Sequence, residues 1–199
     1  MHSATKYLGG HSDAVLGVLS ASPKTKRGLE LAPILRSVQI DCGGIASPFD
    51  SWLTLRGMRT LQVRVAHQCN SAKAIAEFLH KHSLVSSVHY PGLESHPNHD
   101  EANRQMHNGF GGVLSFEMED EIVATAVAGA LKVIQRATSL GGTESLIEHR
   151  ASIEPPGRVT SPQGLLRLSV GLEDSRDIIN DLDKAISIAH QVVSNHNNK

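Results

Sequence analysis

Gly111-Gly112-Val113-Leu114-Ser115-Phe116-Glu117-Met118 alternates apolar and polar side chains behind a glycine pair, the period of a strand with one buried face. Just beyond it, Glu121 to Thr138 brings Val123, Val127, Ala130, Leu131 and Ile134 round at three- and four-residue steps, the period of a helix packed as core. A strand followed by a helix is the unit of α/β folds, and the chain on either side continues the alternation. Val85–Tyr90 reads as a strand stopped by Pro91-Gly92, and His99–His107 as a short polar helix. Ser139-Leu140-Gly141-Gly142 is a turn and Leu165–Val170 a strand. Asp174–Val193 is a closing amphipathic helix with Ile178, Leu182, Ala185, Ile186 and Ala189 inward and a solvated charged face over Asp177–Lys184. The polar tail from Ser194 is expected to fray. Residues 85–199 therefore read as one small α/β domain.

Residues 1–84 have a different rhythm. Ala14–Ser20 is a short apolar run suited to a buried strand, and Pro23–Gly28 a basic turn. Leu29–Ser37 has helical spacing, with Pro33 limiting where it starts. Cys42-Gly43-Gly44 ends it, and Ser47-Pro48 opens a long helical pattern through Phe49, Trp52, Leu53, Leu61, Val65, Ala72, Ile75, Phe78 and Leu79. Gly57 is a point of division, and the pattern ends near 80–83. One strand cannot make a sheet, so this part reads as the tail of a larger domain.

Composition narrows the function. Among 199 residues, 40% are apolar and 20% charged, which excludes a disordered chain. A net charge of -1 and 4% aromatic residues argue against a nucleic-acid partner. No apolar run approaches the ~20 residues of a membrane span. The 12 histidines are scattered; His89, His96, His99 and His107 match no compact zinc spacing, so no metal is expected. Cys42 and Cys69 form no pair motif, which points to a reducing compartment and hence the cytosol. Met1–Lys6 lacks an apolar or arginine-rich leader, and a targeting segment upstream would lie outside this sequence.

The stretch richest in chemistry is Ser3-Ala4-Thr5-Lys6-Tyr7-Leu8-Gly9-Gly10-His11-Ser12-Asp13. A lysine amine can form a Schiff base with an aldehyde cofactor. Neighbouring hydroxyls and backbone amides can hold a phosphate, and glycines allow close approach. Taken alone, the same residues also suit an exposed lysine near a flexible terminus. Ser3-Ala4-Thr5-Lys6-Tyr7 with Gly10-His11-Ser12-Asp13 resembles the cofactor-lysine motif of the Cys/Met-metabolism family of pyridoxal 5'-phosphate (PLP) enzymes. Further blocks follow in that family's order: Ser47-Pro48-Phe49-Asp50, Arg56-Gly57-Met58-Arg59-Thr60-Leu61, Tyr90-Pro91-Gly92-Leu93, Gly109-Phe110-Gly111-Gly112, Ser139 through Leu146, and Leu166 through Asp174. Several distant blocks in one order are far more specific than one motif.

The resemblance, closest to the cystathionine gamma-synthase members, implies fold type I of the PLP enzymes. Residues 1–84 would be the end of the cofactor-binding large domain with its connecting helix, and 85–199 the complete small domain. It implies transsulfuration of cysteine and homoserine derivatives, a small amino-acid substrate, and tetramers built from catalytic dimers. Lys6 resembles the cofactor lysine, which also shuttles protons; Ser3 and Thr5 match hydroxyls on the cofactor phosphate. Arg167 matches the arginine for the substrate α-carboxylate, a task suited to a planar guanidinium. An ion pair with Glu173 or Asp174 is its alternative use, although an arginine within Leu165–Val170 is costly without a dedicated partner. Ser139 matches a serine near that carboxylate, or else caps the preceding helix.

Two stretches depart from the family. Thr138 stands where gamma-acting relatives commonly have a glutamate, which opens the choice between β- and γ-chemistry. His149-Arg150-Ala151-Ser152-Ile153-Glu154-Pro155-Pro156 replaces the family's proline-alanine-serine-methionine-threonine-histidine run. The ring-stacking aromatic, the acid for the pyridine nitrogen and the glycine-rich phosphate loop belong to the family's N-terminal half and are not in this sequence. The expectation is thus the C-terminal half of such an enzyme. It is either part of an active site or a silent subunit that pairs with an N-terminal half or a paralogue.

Overall fold

The structure, a computed structural model, describes residues Met1–Asn197. It is α/β and divides into two compact units, Met1–Leu61 and Gln62 onward.

The first unit has a two-stranded antiparallel ribbon, β1 (His2–Ser3) with β2 (Gly17–Val18). Between them lies a turn, Ala4–Leu8, kinked at Lys6. The run Ala14–Ser20, expected to be a buried strand, yields only those two ribbon residues. Its Val15 and Leu19 are exposed. A strand buries side chains only against a wider sheet or another layer, and β2 pairs with two residues. Helix α1 (Lys26–Cys42) starts earlier than Pro33 suggests, because the Thr25 side chain accepts a bond from the Gly28 N–H. It passes through Pro33 and ends at Gly43, whose φ of 69° is the left-handed stop that glycine permits. Helix α2 (Pro48–Met58) begins as the Ser47-Pro48 pair indicates, with the Ser47 hydroxyl accepting from the Asp50 N–H at 3.0 Å. Gly57 is where α2 meets the Ala4–Leu8 turn. A Cβ there would lie 2.0 Å from the Gly9 carbonyl oxygen, so only glycine permits this approach.

Helix α3 (Leu61–Lys81) leads into the second unit and contributes Ala72, Ile75, Ala76 and Leu79 to its core. The sheet has the order β3 (Ser87–His89), β4 (Val113–Glu117), β7 (Leu165–Ser169), β6 (Leu146–His149), β5 (Gln135–Arg136). All neighbours are antiparallel except β5 with β6. Leu114, Phe116, Leu166, Leu168 and Ile147 point to one face, where α5 (Glu121–Ala130) and α7 (Ser175–Asn197) pack with Val123, Val127, Ile178, Leu182 and Ile186. Short helices α4 (His99–Gln105) and α6 (Arg150–Ile153) sit in the connections. Among the described residues no helix is long and apolar enough to cross a membrane.

Three expectations change here. Helix α5 stops at Ala130 rather than Thr138, and Leu131 is already extended at ψ 147°. The buried carboxylate of Asp181 on α7 accepts the backbone N–H groups of Lys132, Val133 and Ile134 at 2.8–3.1 Å, which pulls that segment out of the helix. The strand β6 and helix α6 were not expected from the sequence. Helix α7 continues to Asn197 where fraying was expected from Ser194; Asn198 and Lys199 lie outside the described residues.

Candidate active site

The predicted residues fall in two groups, one in each unit. In the first unit, Lys6 occupies the middle of the Ala4–Leu8 turn with φ -86° and ψ -128°, outside helical geometry. The turn is tied at both ends. Its Ala4 and Thr5 N–H groups donate to the Leu16 carbonyl at 2.9 and 3.3 Å. The Gly9 N–H donates to Ala4 O and the Gly10 N–H to Lys6 O, both at 2.8 Å. Ala4 is fully buried, Lys6 half-buried and Ser3 exposed. The Thr5 hydroxyl accepts the Leu16 N–H at 3.1 Å and lies 3.5 Å from the Leu16 carbonyl. A phosphate oxygen at Thr5 would therefore replace only that long second contact. A primary amine on a kinked turn, preceded by the hydroxyls of Ser3 and Thr5, is a donor set that fits an aldehyde carrying a phosphate. A Cβ at Gly9 would come within 2.9 Å of Ala4 O, so the close backbone is built into the turn.

In the second unit the sheet presents Arg167 and Glu148 side by side on the face away from α5 and α7, in direct register between β7 and β6. Arg167 Nη2 donates to the Ser139 carbonyl at 2.9 Å, so these two predicted residues are brought together. Ser139 has φ 94°, left-handed backbone that costs a serine on the order of 1–3 kcal/mol and persists only where the surroundings hold it. They do so next door: the Gly141 N–H donates to the Ser169 hydroxyl at 3.1 Å, and buried Gln68 on α3 donates from Nε2 to Gly142 O at 2.8 Å. Further along the loop, Glu173 accepts both the N–H and the hydroxyl of buried Ser145, at 2.7 and 2.8 Å.

The anion beside Arg167 is Glu148, not Glu173 or Asp174. Asp174 pairs with Arg176, whose side chain and N–H hold its carboxyl at about 2. Glu148 is 3% exposed, and its Oε1 lies 3.0 Å from Arg167 Nε and 2.6 Å from Arg150 Nη1. The Arg167 N–H is not aligned on that oxygen, and Glu148 Oε2 is buried with no hydrogen-bond partner among the described residues. Arg150 Nη2 also lies 3.8 Å from Glu154. Sequence reasoning missed Glu148, Arg150 and Gln68. The available signal for Glu148 was Arg167 itself, since an arginine in an apolar strand requires an anion across the sheet. Thr138 is exposed and lines a cavity of about 320 Å³ with Arg136, Glu148 and Ser152.

Known proteins resemble this chain in sequence and fold. A cystathionine beta-lyase of Lactococcus lactis is 45% identical over 194 residues, covering 94% of this chain and 49% of the relative. A cystathionine gamma-lyase of Sus scrofa is 42% identical over 205 residues, covering 99% of this chain and 49% of the relative. The crystal structure of cystathionine gamma synthase from Xanthomonas oryzae pv. oryzae, in complex with aminoacrylate and cysteine, superposes with a TM-score of 0.83 at 39% identity. It covers 96% of this chain and 50% of that one. The chain thus spans about half the length of the curated relatives it matches, and its fold is that of a fold-type-I fragment. With residues 1–187 matching the family described as Cys/Met metabolism PLP-dependent enzyme, the chain belongs to that family, whose cofactor is pyridoxal 5'-phosphate.

Proposed function

We propose that this chain supplies the C-terminal half of a PLP-dependent transsulfuration active site, one that forms or cleaves a C–S bond on cysteine and homoserine derivatives. The observation that carries this reading is the family match across residues 1–187, joined to an amine at Lys6 and a braced guanidinium at Arg167. Residues 1–84 act as the end of the cofactor domain and 85–199 as the small substrate-binding domain. The free thiols of Cys42 and Cys69 suit the cytosol, and a homo-oligomer or a separate N-terminal half completes the site.

Each residue then has a task. Lys6 Nζ holds the cofactor aldehyde and afterwards takes and returns the proton of the substrate α-carbon. Ser3 and Thr5 donate their hydroxyls to the cofactor phosphate. Bound there, the cofactor supplies an electron sink for the α-carbon. Arg167 binds the substrate carboxylate, and Ser139, whose carbonyl anchors that guanidinium, lines the same place. Thr138, where gamma-acting relatives commonly have a glutamate, leaves the choice between β- and γ-chemistry open.

The test is the visible spectrum of purified 1–199 with added PLP beside Lys6→Ala. An absorption band present only with Lys6 is the expected result; a band of equal strength in both proteins overturns the assignment of Lys6, and no band in either means that the family's N-terminal half is required to hold the cofactor. Because the aromatic and acidic cofactor contacts of the family lie outside this sequence, 1–199 alone is expected to turn over little or no cystathionine. Robust turnover would overturn the half-site reading.

A second reading, a silent subunit that only pairs with another chain, draws on α2. Phe49, Trp52 and Leu55 are 65%, 57% and 64% exposed at helical spacing, an apolar row that a partner would cover. PLP binding that depends on Lys6 separates the two readings in favour of the first.

A further inference from the structure

We propose that Glu148 and Arg150 are positioning residues for Arg167. Glu148 sets the place of the guanidinium, and Arg150, on the same oxygen, offsets the charge that Glu148 would otherwise cancel. The inference rests on reading Arg167 as the receptor for the substrate carboxylate.

A buried carboxylate beside such an arginine poses a conflict. It fixes the guanidinium, but it also competes with the incoming carboxylate and brings the local charge to zero. Here Oε1 of Glu148 is shared, at 3.0 Å from Arg167 and 2.6 Å from Arg150. The two guanidiniums and one carboxylate leave one net positive charge. Among the neighbours, Glu154 subtracts one charge and Arg136 restores it. Glu154 is farther out, 3.8 Å from Arg150 Nη2, and its carboxylate already accepts the Ser161 hydroxyl and the Thr160 N–H. Arg136, lining the adjoining cavity with Glu148, adds positive charge. Arg167 spends one Nη2 hydrogen on Ser139, and its guanidinium carries further N–H groups with which a ligand can pair. Local structure delivers the pair: Glu148 is the penultimate residue of β6, which ends at His149, and Arg150 opens α6. Arg150 is 30% exposed and so tolerates replacement.

The experiment uses ¹⁵N-labelled 1–199 and the Arg167 Nε–H resonance, identified by its absence in Arg167→Lys. Sodium acetate is titrated against sodium chloride at equal ionic strength. Acetate is expected to shift the wild-type resonance saturably. Losing one charge a few ångströms away should weaken acetate roughly three- to tenfold in Arg150→Gln, while Arg150→Lys should bind within about twofold of wild type. In Glu148→Gln, if folded by circular dichroism, the resonance is expected to move toward that of exposed arginines. Equal acetate affinity in Arg150→Gln and wild type would sink the proposal alone, as would Arg150→Lys binding as weakly as Arg150→Gln. An unmoved Arg167 resonance in Glu148→Gln would remove Glu148 from it. Absence of any acetate response in wild type would overturn the carboxylate role of Arg167 as well.

Discussion

Glu154 closes the loop after α6 by accepting the Ser161 hydroxyl and the Thr160 N–H, and these bonds, ahead of the charge of Arg150, lower its carboxyl from 4.5 to about 2. A depressed carboxyl contributes stability that is complete above its unfolded value and is lost as pH falls through the folded one, here between 4.5 and about 2. In Ser161→Ala the Glu154 carboxyl is expected to titrate closer to 4.5, as followed by carboxyl-carbon NMR; an unchanged titration would show that the hydroxyl is not the main cause. None of this was legible in the sequence, where Glu154 and Ser161 are seven positions apart in a stretch without periodicity. Arg167 was legible, because charge inside an apolar strand demands a reason. Its partner was not: the eye pairs Arg167 with Glu173 or Asp174 nearby in the chain, whereas the sheet register sets Glu148 beside it.

At the level of elements, helix periodicity was a good guide wherever packing agreed with it. Ile178, Leu182, Ala185, Ile186 and Ala189 of α7 are all buried. It overran in α5 because Leu131 and Ile134 continue the apolar spacing, while the residue that ends the helix, Asp181, lies on α7. Asp181→Ala leaves three amide groups without their acceptor and is expected to cost about 2–4 kcal/mol in urea unfolding, with faster exchange at the amides of 132–134. Loss of less than half a unit of that scale would mean that water replaces the carboxylate. The glycine at the end of α2 carries a similar demand. Gly57→Ala forces a methyl toward the Gly9 carbonyl and is expected to destabilise the Lys6 turn by about 1–3 kcal/mol, read by thermal melting followed by circular dichroism. Strand β6 escaped notice because Leu146-Ile147-Glu148-His149 puts a charge at a position that the sheet buries.

The whole molecule is two units of unequal core. In the first, helix α1 buries only Gly28 while Leu29, Ile34 and Val38 stay exposed. In the second, the sheet and α5 and α7 enclose Leu114, Phe116, Leu168 and Ile186 completely. Amide exchange is therefore expected to be slowest in β4 and β7 and fast along α1; equal protection would show that α1 is covered in solution. The α/β class could be read from residues 85 onward because β4, β7 and α7 each keep their own period. The turn that presents Lys6 could be read only through resemblance, since its shape comes from the Leu16 backbone rather than from any repeat. The strand order has a further consequence, in time. Strand β4 sits between β3, made just before it, and β7, made long after, with β5 and β6 synthesised in between. A growing chain thus carries Leu114 and Phe116 only partly covered, by α3 and α5, until β7 and then α7 leave the ribosome. For that interval the future centre of the domain is its stickiest surface, and the nascent chain rather than the finished protein is the form most in need of a chaperone.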